Sequence, residues 1–186
     1  MSACESQPDH QLAIRAMQVT DIDAALRIEE LSSIQPWTRG VFTDELSDTV
    51  PRSYRVACLD GEVVGFCGLL AQLDEGHITN IAVDPVHRRK GIGAMLLLDA
   101  IRIALRQKIC ALTLEVRVSN TEARVLYQRF GFAPVGVRPK YYRANNEDAL
   151  IMWAHDIDAP PFQVRLAEIA AVLANASDVT KKGSGS

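Results

Sequence analysis

Hydrophobic and polar positions change period several times along the chain, and each change marks an element. Leu12 to Met17 alternates as a strand does. Ile22, Ala25, Leu26, Ile28 and Leu31 then recur at helical spacing, with Thr20 as the expected cap and Asp21 and Asp23 placed to favour the helix dipole. That helix must end before Pro36. A second short helix is predicted after Thr38 as cap, with Val41, Phe42 and Leu46 on its apolar face and an end between Ser47 and Pro51. Two strands follow, SYRVACLD and EVVGFCGLLAQL, joined through Asp60-Gly61, a pair that tolerates positive φ and therefore predicts a tight hairpin. A turn at Asp74-Glu75-Gly76 leads to a third strand, His77 to Val83, which completes an antiparallel meander.

From Gly91 the period becomes helical, with Ile92, Met95, Leu96, Ala100, Ile103 and Ala104 apolar and Arg102, Arg106 and Lys108 toward the C-terminal end. A strand-to-helix crossover is expected here. The next unit repeats it: a strand from Ala111 to Val118, a helix capped by Asn120 and running to about Arg129, and Gly131 as its stop. Phe132 to Val137 and Ala149 to Ala154 are the last two strands, linked by the polar stretch from Tyr141 to Asp148. Beyond the break at Asp158 to Pro161, Phe162 to Leu173 is helical, with Val164, Leu166, Ile169, Ala170 and Leu173 available for docking or for a partner. The expected organisation is a flexible extension over 1–11, a domain over 12–157, a helical extension over 158–176 and a flexible tail over 177–186 whose KKGSGS ending has the composition of a linker.

Composition narrows the function classes. At 186 residues, 48% hydrophobic and 23% charged, the chain suits one ordinary domain with a sizeable core. Its 20 Lys and Arg against 23 Asp and Glu give a net charge of -3, which argues against a dominant nucleic-acid or anionic-membrane surface. Cys4, Cys58, Cys67 and Cys110 are scattered and form no CxxC pair, so buried thiols in a reducing compartment are expected, with no zinc site and no disulfides. The opening MSACESQPDH lacks the basic-then-apolar pattern of a signal peptide and no run reaches 18 apolar residues, so the protein is expected in the cytoplasm.

Two segments carry chemistry. Arg88-Arg89-Lys90-Gly91-Ile92-Gly93 lies at the predicted strand-to-helix junction, where closely spaced glycines let N–H groups converge on an oxyanion and the helix adds its positive end. The segment can cradle a diphosphate, although a solvated basic turn accounts for the same residues. It lacks the GKS/T ending of a nucleoside-triphosphate loop and the GxGxxG dinucleotide fingerprint. In Leu112 to Asn120, strand alternation puts Leu112, Leu114, Val116 and Val118 on one face and Thr113, Glu115 and Arg117 on the other. Glu115 can thus be a cleft carboxylate, or else pair with Arg117 or another cation. Tyr127, on the following helix, can offer a hydroxyl to the same cleft or simply pack against the sheet. His77 and His87 lie at the two ends of the third strand and the turn that follows it, and read as hydrogen-bonded surface residues rather than bases or metal ligands.

Together, ITNIAVDP, RRKGIG, LEVRVSN, ARVLYQRFGF and YYRANNEDALIM resemble the GCN5-related N-acetyltransferase (GNAT) superfamily, and within it the branch that acetylates ribosomal-protein alanine, over about residues 12 to 157. The resemblance implies an α+β fold with a mixed central sheet of about seven strands, splayed at the acetyl-CoA site and flanked by about four helices. It also implies that the backbone of Arg88, Arg89, Lys90, Gly91, Ile92 and Gly93 holds the CoA diphosphate. The main chain of Ile81 to Val83, Ala82 included, would hold the pantetheine arm and thioester, and Asn120 would contact the cofactor beyond the thioester. Glu115 would accept a proton from the substrate ammonium, through water, and Tyr127 would protonate the departing thiolate. The acceptor implied is the N-terminal alanine of small-subunit ribosomal protein eighteen, bound as an extended peptide between Pro36-Trp37 and Tyr141-Tyr142, with direct transfer in a ternary complex and no metal. An acidic rim of Glu29, Glu30, Asp44 and Glu45 could attract a basic peptide tail, although solvated helix faces explain the same residues. The competing functions are a broader N-terminal or small-amine acetyltransferase and a non-catalytic acyl-CoA-binding module. No stable nucleic-acid or membrane partner is expected.

Overall fold

The computed structural model describes residues 12–47 and 51–182, with side chains through 176. The elements are β1 (Leu12–Ala16), α1 (Ile22–Ser32), α2 (Arg39–Glu45), β2 (Arg52–Leu59), β3 (Glu62–Gln72), β4 (Glu75–Val83), α3 (Ile92–Arg106), β5 (Ala111–Arg117), α4 (Thr121–Arg129), β6 (Ala133–Tyr142), β7 (Glu147–Ala154) and α5 (Pro160–Lys182). The seven strands form one sheet in the order β1-β2-β3-β4-β5-β7-β6. All neighbours are antiparallel except β4 and β5.

The strongest local signals act where expected. Asp60 and Gly61 both take positive φ, 53° and 87°, as a two-residue hairpin needs to match strand twist. Thr38 caps α2 by accepting from the Val41 N–H, and Asn120 caps α4 by accepting from that of Ala123. Elsewhere the local signals mislead. Thr20 lies inside a 3-10 turn, Val19–Asp21, and Asp21 precedes α1, its carboxylate accepting from Arg15 and the Gln18 N–H. The β3–β4 turn is Leu73-Asp74, not 74–76, so β4 begins two residues early. Gly76 is a strand residue because of crowding rather than turning: a Cβ there would come within 2.6 Å of Leu112 Cδ2 on β5.

Leu73 holds a φ of 56° while 97% exposed, a conformation usually left to glycine in such a hairpin. Leu73→Gly is therefore expected to raise unfolding stability by about 1 kcal/mol in urea titration; an unchanged or lower midpoint would mean that Leu73 is not strained.

β6 runs five residues past its expected end, carrying Tyr141 and Tyr142 on a strand rather than in the linking stretch, which shrinks to 143–146. The helix expected over 162–173 runs from Pro160 to Lys182, across the 176 boundary. Residues 1–11, 183–186 and 48–50, the last within the expected end of α2, lie outside the described residues.

The sheet has a core on each face. On one, α3 buries Ile92, Leu96, Leu97, Ala100, Ile101, Ile103 and Ala104 against the strands, while Phe162, Leu166, Ile169 and Leu173 of α5 and Tyr127 and Phe130 of α4 join the same cluster. α3 is apolar around most of its circumference because α5 covers what the sheet does not. Val164, one of the positions available for docking or for a partner, is exposed. On the other face, Ile22, Ala25 and Ile28 of α1 and Phe42 of α2 pack on Tyr54, Val56, Phe66 and Ala82.

Candidate active site

β4 and β5 pair only at Glu75–His77 against Ala111–Thr113. Past that junction β4 stays with β3 as far as Val83 and β5 stays with β7, so the sheet opens into a slot. A bulge shapes one wall: Gly68 opposes Asn80 and Leu69 opposes Ile78, leaving Thr79 as the extra residue. Beyond it, the Asp84 N–H donates to Val64 O at 2.9 Å. By antiparallel alternation the peptide groups of Ala82 then face β3, whereas those of Ile81 and Val83 face the slot. The Val83 carbonyl accepts from Arg88 Nε at 3.2 Å.

The bulge has its own support. The Tyr54 hydroxyl lies between Glu45, 2.6 Å away, and Thr79 Oγ1, 2.8 Å away. Glu45 is also paired with Arg52 at 3.2 Å. Gly68 opposite must lack a side chain, because a Cβ would overlap the Tyr54 ring and Thr79 Oγ1.

The facing wall carries Glu115, whose side chain is 9% exposed. Its Oε2 accepts from His77 Nε2 at 2.7 Å and its Oε1 pairs with Arg138 of β6 at 3.2 Å. The His77 hydrogen bond, aided by the charges of His77 and Arg138, holds the Glu115 carboxyl below its ordinary value against the opposing effect of burial. The sequence alternatives for Glu115 were a cleft and a cation partner; both apply, but the partners are His77 and Arg138, while Arg117 pairs with Glu147. His77 is thus hydrogen-bonded and partly exposed, as expected, with Glu115 as its partner. Its contact with Glu115 spans 38 residues, which no local spacing signals.

Next to this wall, Arg117 stacks 3.7 Å from the centre of the Tyr142 ring, and Tyr141 meets Tyr142 edge-on at 5.2 Å and Arg138 at 5.7 Å. Glu147 accepts from the Ser119 N–H and hydroxyl and from Asn145, which pulls its carboxyl down to about 2 and fixes the start of β7 beside the approach to α4. Tyr127 is buried at 5% exposure, packs on Phe132, and no described residue hydrogen-bonds its hydroxyl. Burial pushes its phenol up, and nearby Cys67 and Tyr142 add to the effect.

The Arg88–Gly93 segment opens α3 as predicted. Gly91 takes a φ of 79°, no side chain caps the helix, and no acid lies in its first turn. α4, by contrast, has both the Asn120 cap and Glu122. The α3 amides are therefore left for an external anion. A Cβ at Gly93 would meet only Leu126 and Val83 at 3.7 and 3.8 Å, so nothing in the protein fills that space. Ile92 contributes backbone alone, its side chain being buried, and Arg89 is committed to Glu122 at 2.8 Å. Asn120 spends its carbonyl oxygen on the cap.

On the side of the sheet shared with α1 and α2, Trp37 is half-buried against Phe42 and Tyr54, and Pro36 is exposed. The supposed acidic rim is not one surface: Glu30 and Asp44 are exposed, Glu45 is tied to Tyr54 and Arg52, and Glu29 is buried at 4% exposure. The wide hollows of about 480 Å³ beside Glu45 and Arg52, and about 450 Å³ beside Leu98 and Leu173, lie away from the slot. Among the described residues no three His, Cys, Asp or Glu side chains group to hold a metal, and no helix is long and apolar enough to cross a membrane.

Residues 21–132 match the family model described as Acetyltransferase (GNAT) family. A Bacillus subtilis protein provisionally described as a ribosomal protein bS18-alanine N-acetyltransferase is 42% identical over 141 residues, covering 76% of this chain and 93% of that protein. The Escherichia coli K12 bS18-alanine N-acetyltransferase is 33% identical, covering 75% and 94%. The crystal structure of the ribosomal-protein-S18-alanine N-acetyltransferase from Escherichia coli superposes with a TM-score of 0.73 at 32% identity, over 78% of this chain and 94% of that one. An N-alpha-acetyltransferase of Sulfurisphaera tokodaii is 34% identical, over 83% of this chain and 99% of that protein.

Proposed function

The chain belongs to the acetyltransferase (GNAT) family as an N-acetyltransferase with acetyl-CoA as donor, and from that premise we propose that it acetylates the α-amine of the N-terminal alanine of small-subunit ribosomal protein eighteen, by direct transfer in a ternary complex. The observation that carries this is the slot itself. One side offers slot-facing peptide groups at Ile81 and Val83, the Val83 carbonyl already accepting from Arg88, and an uncapped helix start at Gly91. The other offers a carboxylate and an imidazole in contact.

Bound there, the donor supplies an activated acetyl group as a thioester. The α3 amides from Gly91 onward, with Arg88 and Lys90 nearby, would hold its diphosphate, and the Ile81 and Val83 peptide groups its pantetheine arm and carbonyl. An ammonium cannot attack until it loses a proton. Glu115, ionised throughout the neutral range, accepts that proton through water, with His77 as its contact partner. Because its partners also lower its basicity, Glu115 works as one member of a Glu115–His77 couple rather than alone. Tyr127 would give its hydroxyl proton to the departing thiolate, and Pro36, Trp37, Tyr141 and Tyr142 would flank the acceptor peptide. Direct transfer needs no acyl-enzyme, and two of the thiols are unsuited to forming one: Cys58 and Cys67 are buried, and burial pushes the Cys67 thiol up to about 12.

Glu115→Gln is expected to lower turnover by about 10²-fold near pH 7 and to recover part of the loss as pH rises and free amine becomes more abundant. Wild type loses nothing to Glu115 protonation until pH falls into the carboxylate range, because its carboxyl is held low. Equal loss at every pH would assign Glu115 a positioning role instead. The identity of the acceptor is tested by intact-mass detection of acetyl transfer to peptides differing in their first two residues. Strongest transfer to the alanine terminus of ribosomal protein eighteen supports the narrow assignment. Equal transfer to several termini overturns it in favour of a broader N-terminal acetyltransferase, and no transfer with acetyl-CoA bound leaves a non-catalytic module.

A further inference from the structure

The described chain buries three acids: Asp21, Glu29 and Asp84. Two are accounted for. Asp21 is paired with Arg15 at 2.6 Å, and Asp84 caps the turn at Pro85–His87 by accepting from the Val86 N–H. Glu29 has only neutral donors. Asn80 Nδ2 donates to its Oε2 at 3.2 Å and the Trp37 backbone N–H donates to it, with no cation paired to it among the described residues. A carboxylate taken from water without a counter-charge is costly to keep ionised. Burial accordingly pushes the Glu29 carboxyl up.

Its place suggests where the missing charge comes from. Asn80 is the first residue beyond the bulge and adjoins Ile81, whose peptide groups face the slot. Trp37 belongs to the segment expected beside the acceptor. The Glu29 carboxylate is thus tied both to the strand that carries Ile81 and to the segment proposed to flank the acceptor, a single anionic group with too few acidic or imidazole neighbours among the described residues to hold a metal.

We propose that Glu29 receives the acceptor's amino group as an ammonium ion, making a charged primary amine the condition for a well-bound acceptor. This rests on the acetyltransferase reading above. It adds a specificity residue on α1 that acts before proton removal by the Glu115–His77 couple.

The test uses the full chain with CoA bound and two peptides: one with a free N-terminal alanine that wild type acetylates, and its des-amino analogue carrying propionyl in place of alanyl. In calorimetric titration wild type is expected to prefer the amine-bearing peptide by about tenfold or more, and Glu29→Gln to bring the two within about twofold, with CoA affinity and thermal midpoint unchanged. Should Glu29→Gln not fold, Glu29→Asp, which withdraws the carboxylate by one methylene, is expected to narrow the same ratio. A ratio as large in the variant as in wild type overturns the proposal and makes Glu29 a neutral hydrogen-bonding strut. Wild-type acetylation of the amine peptide, measured separately, reports on the enzyme reading itself, so the two ideas fail independently.

Discussion

Tyr127→Phe is expected to lower kcat for acetyl transfer by at least about tenfold while leaving acetyl-CoA affinity nearly intact. The change removes one hydroxyl from a ring otherwise held by burial and by Phe132, whose centroid lies 6.0 Å away. Packing is conserved, so stability should move little. No described residue occupies that hydroxyl as donor or acceptor, which leaves its proton for a departing thiolate. Burial raises the phenol, so it stays protonated across the working range and is a donor at every pH at which the enzyme is folded. Stopped-flow or steady-state turnover beside a CoA titration decides the matter. Unchanged turnover would take the acid role away from Tyr127.

The second large effect is expected at a residue that touches no substrate. Gly68→Ala should cost about 2–3 kcal/mol of stability, the range of an overpacked core position. It should also depress acetylation in molecules that remain folded. A Cβ at Gly68 would overlap the Tyr54 ring and Thr79 Oγ1, and both have little room to yield. Tyr54 is held at its hydroxyl by Glu45 and Thr79, and it packs against Trp37. Thr79 is the extra residue of the bulge that turns β4 toward the slot. Gly136→Ala is the control, since its Cβ would meet only Ile151 Cδ1 at an ordinary 3.7 Å. Urea denaturation of both variants, with turnover measured at a temperature where each is folded, separates the two effects. Gly68→Ala behaving like Gly136→Ala would show that the bulge absorbs the intrusion.

What could be seen in the amino acids alone divides by range. Elements that depend on neighbouring residues were legible: the Asp60-Gly61 hairpin, the Thr38 and Asn120 caps, the apolar stripe of α3 and the alternation that places Glu115 opposite Leu114 and Val116. Leu73 was not, because no one expects a leucine in a turn that favours glycine, and Gly76 drew attention to the wrong residues. The length of β6 was hidden by its irregular pairing, in which three residues from Pro139 to Tyr141 oppose Asp148 alone. At the site, the glycines proposed to hold the diphosphate were visible as a motif. The Glu115–His77 contact and the burial of Glu29 against Asn80 were not, since each joins residues far apart in the chain. Charge counting alone placed Glu29 and Glu45 among solvated acids, whereas tertiary packing gave each a different partner.

The parting of β4 from β5 has a consequence for how such an enzyme can change over generations. What the slot exposes at Ile81 and Val83 is main chain, and no substitution except proline can delete a peptide N–H. The donor half of the proposed site is thereby insulated from most mutation. The acceptor half proposed above is built from side chains, Glu29, His77, Glu115, Arg138 and Tyr141, each of which one codon change can replace. Lineages descended from this chain can therefore exchange one acceptor for another while inheriting the same acetyl donor unaltered.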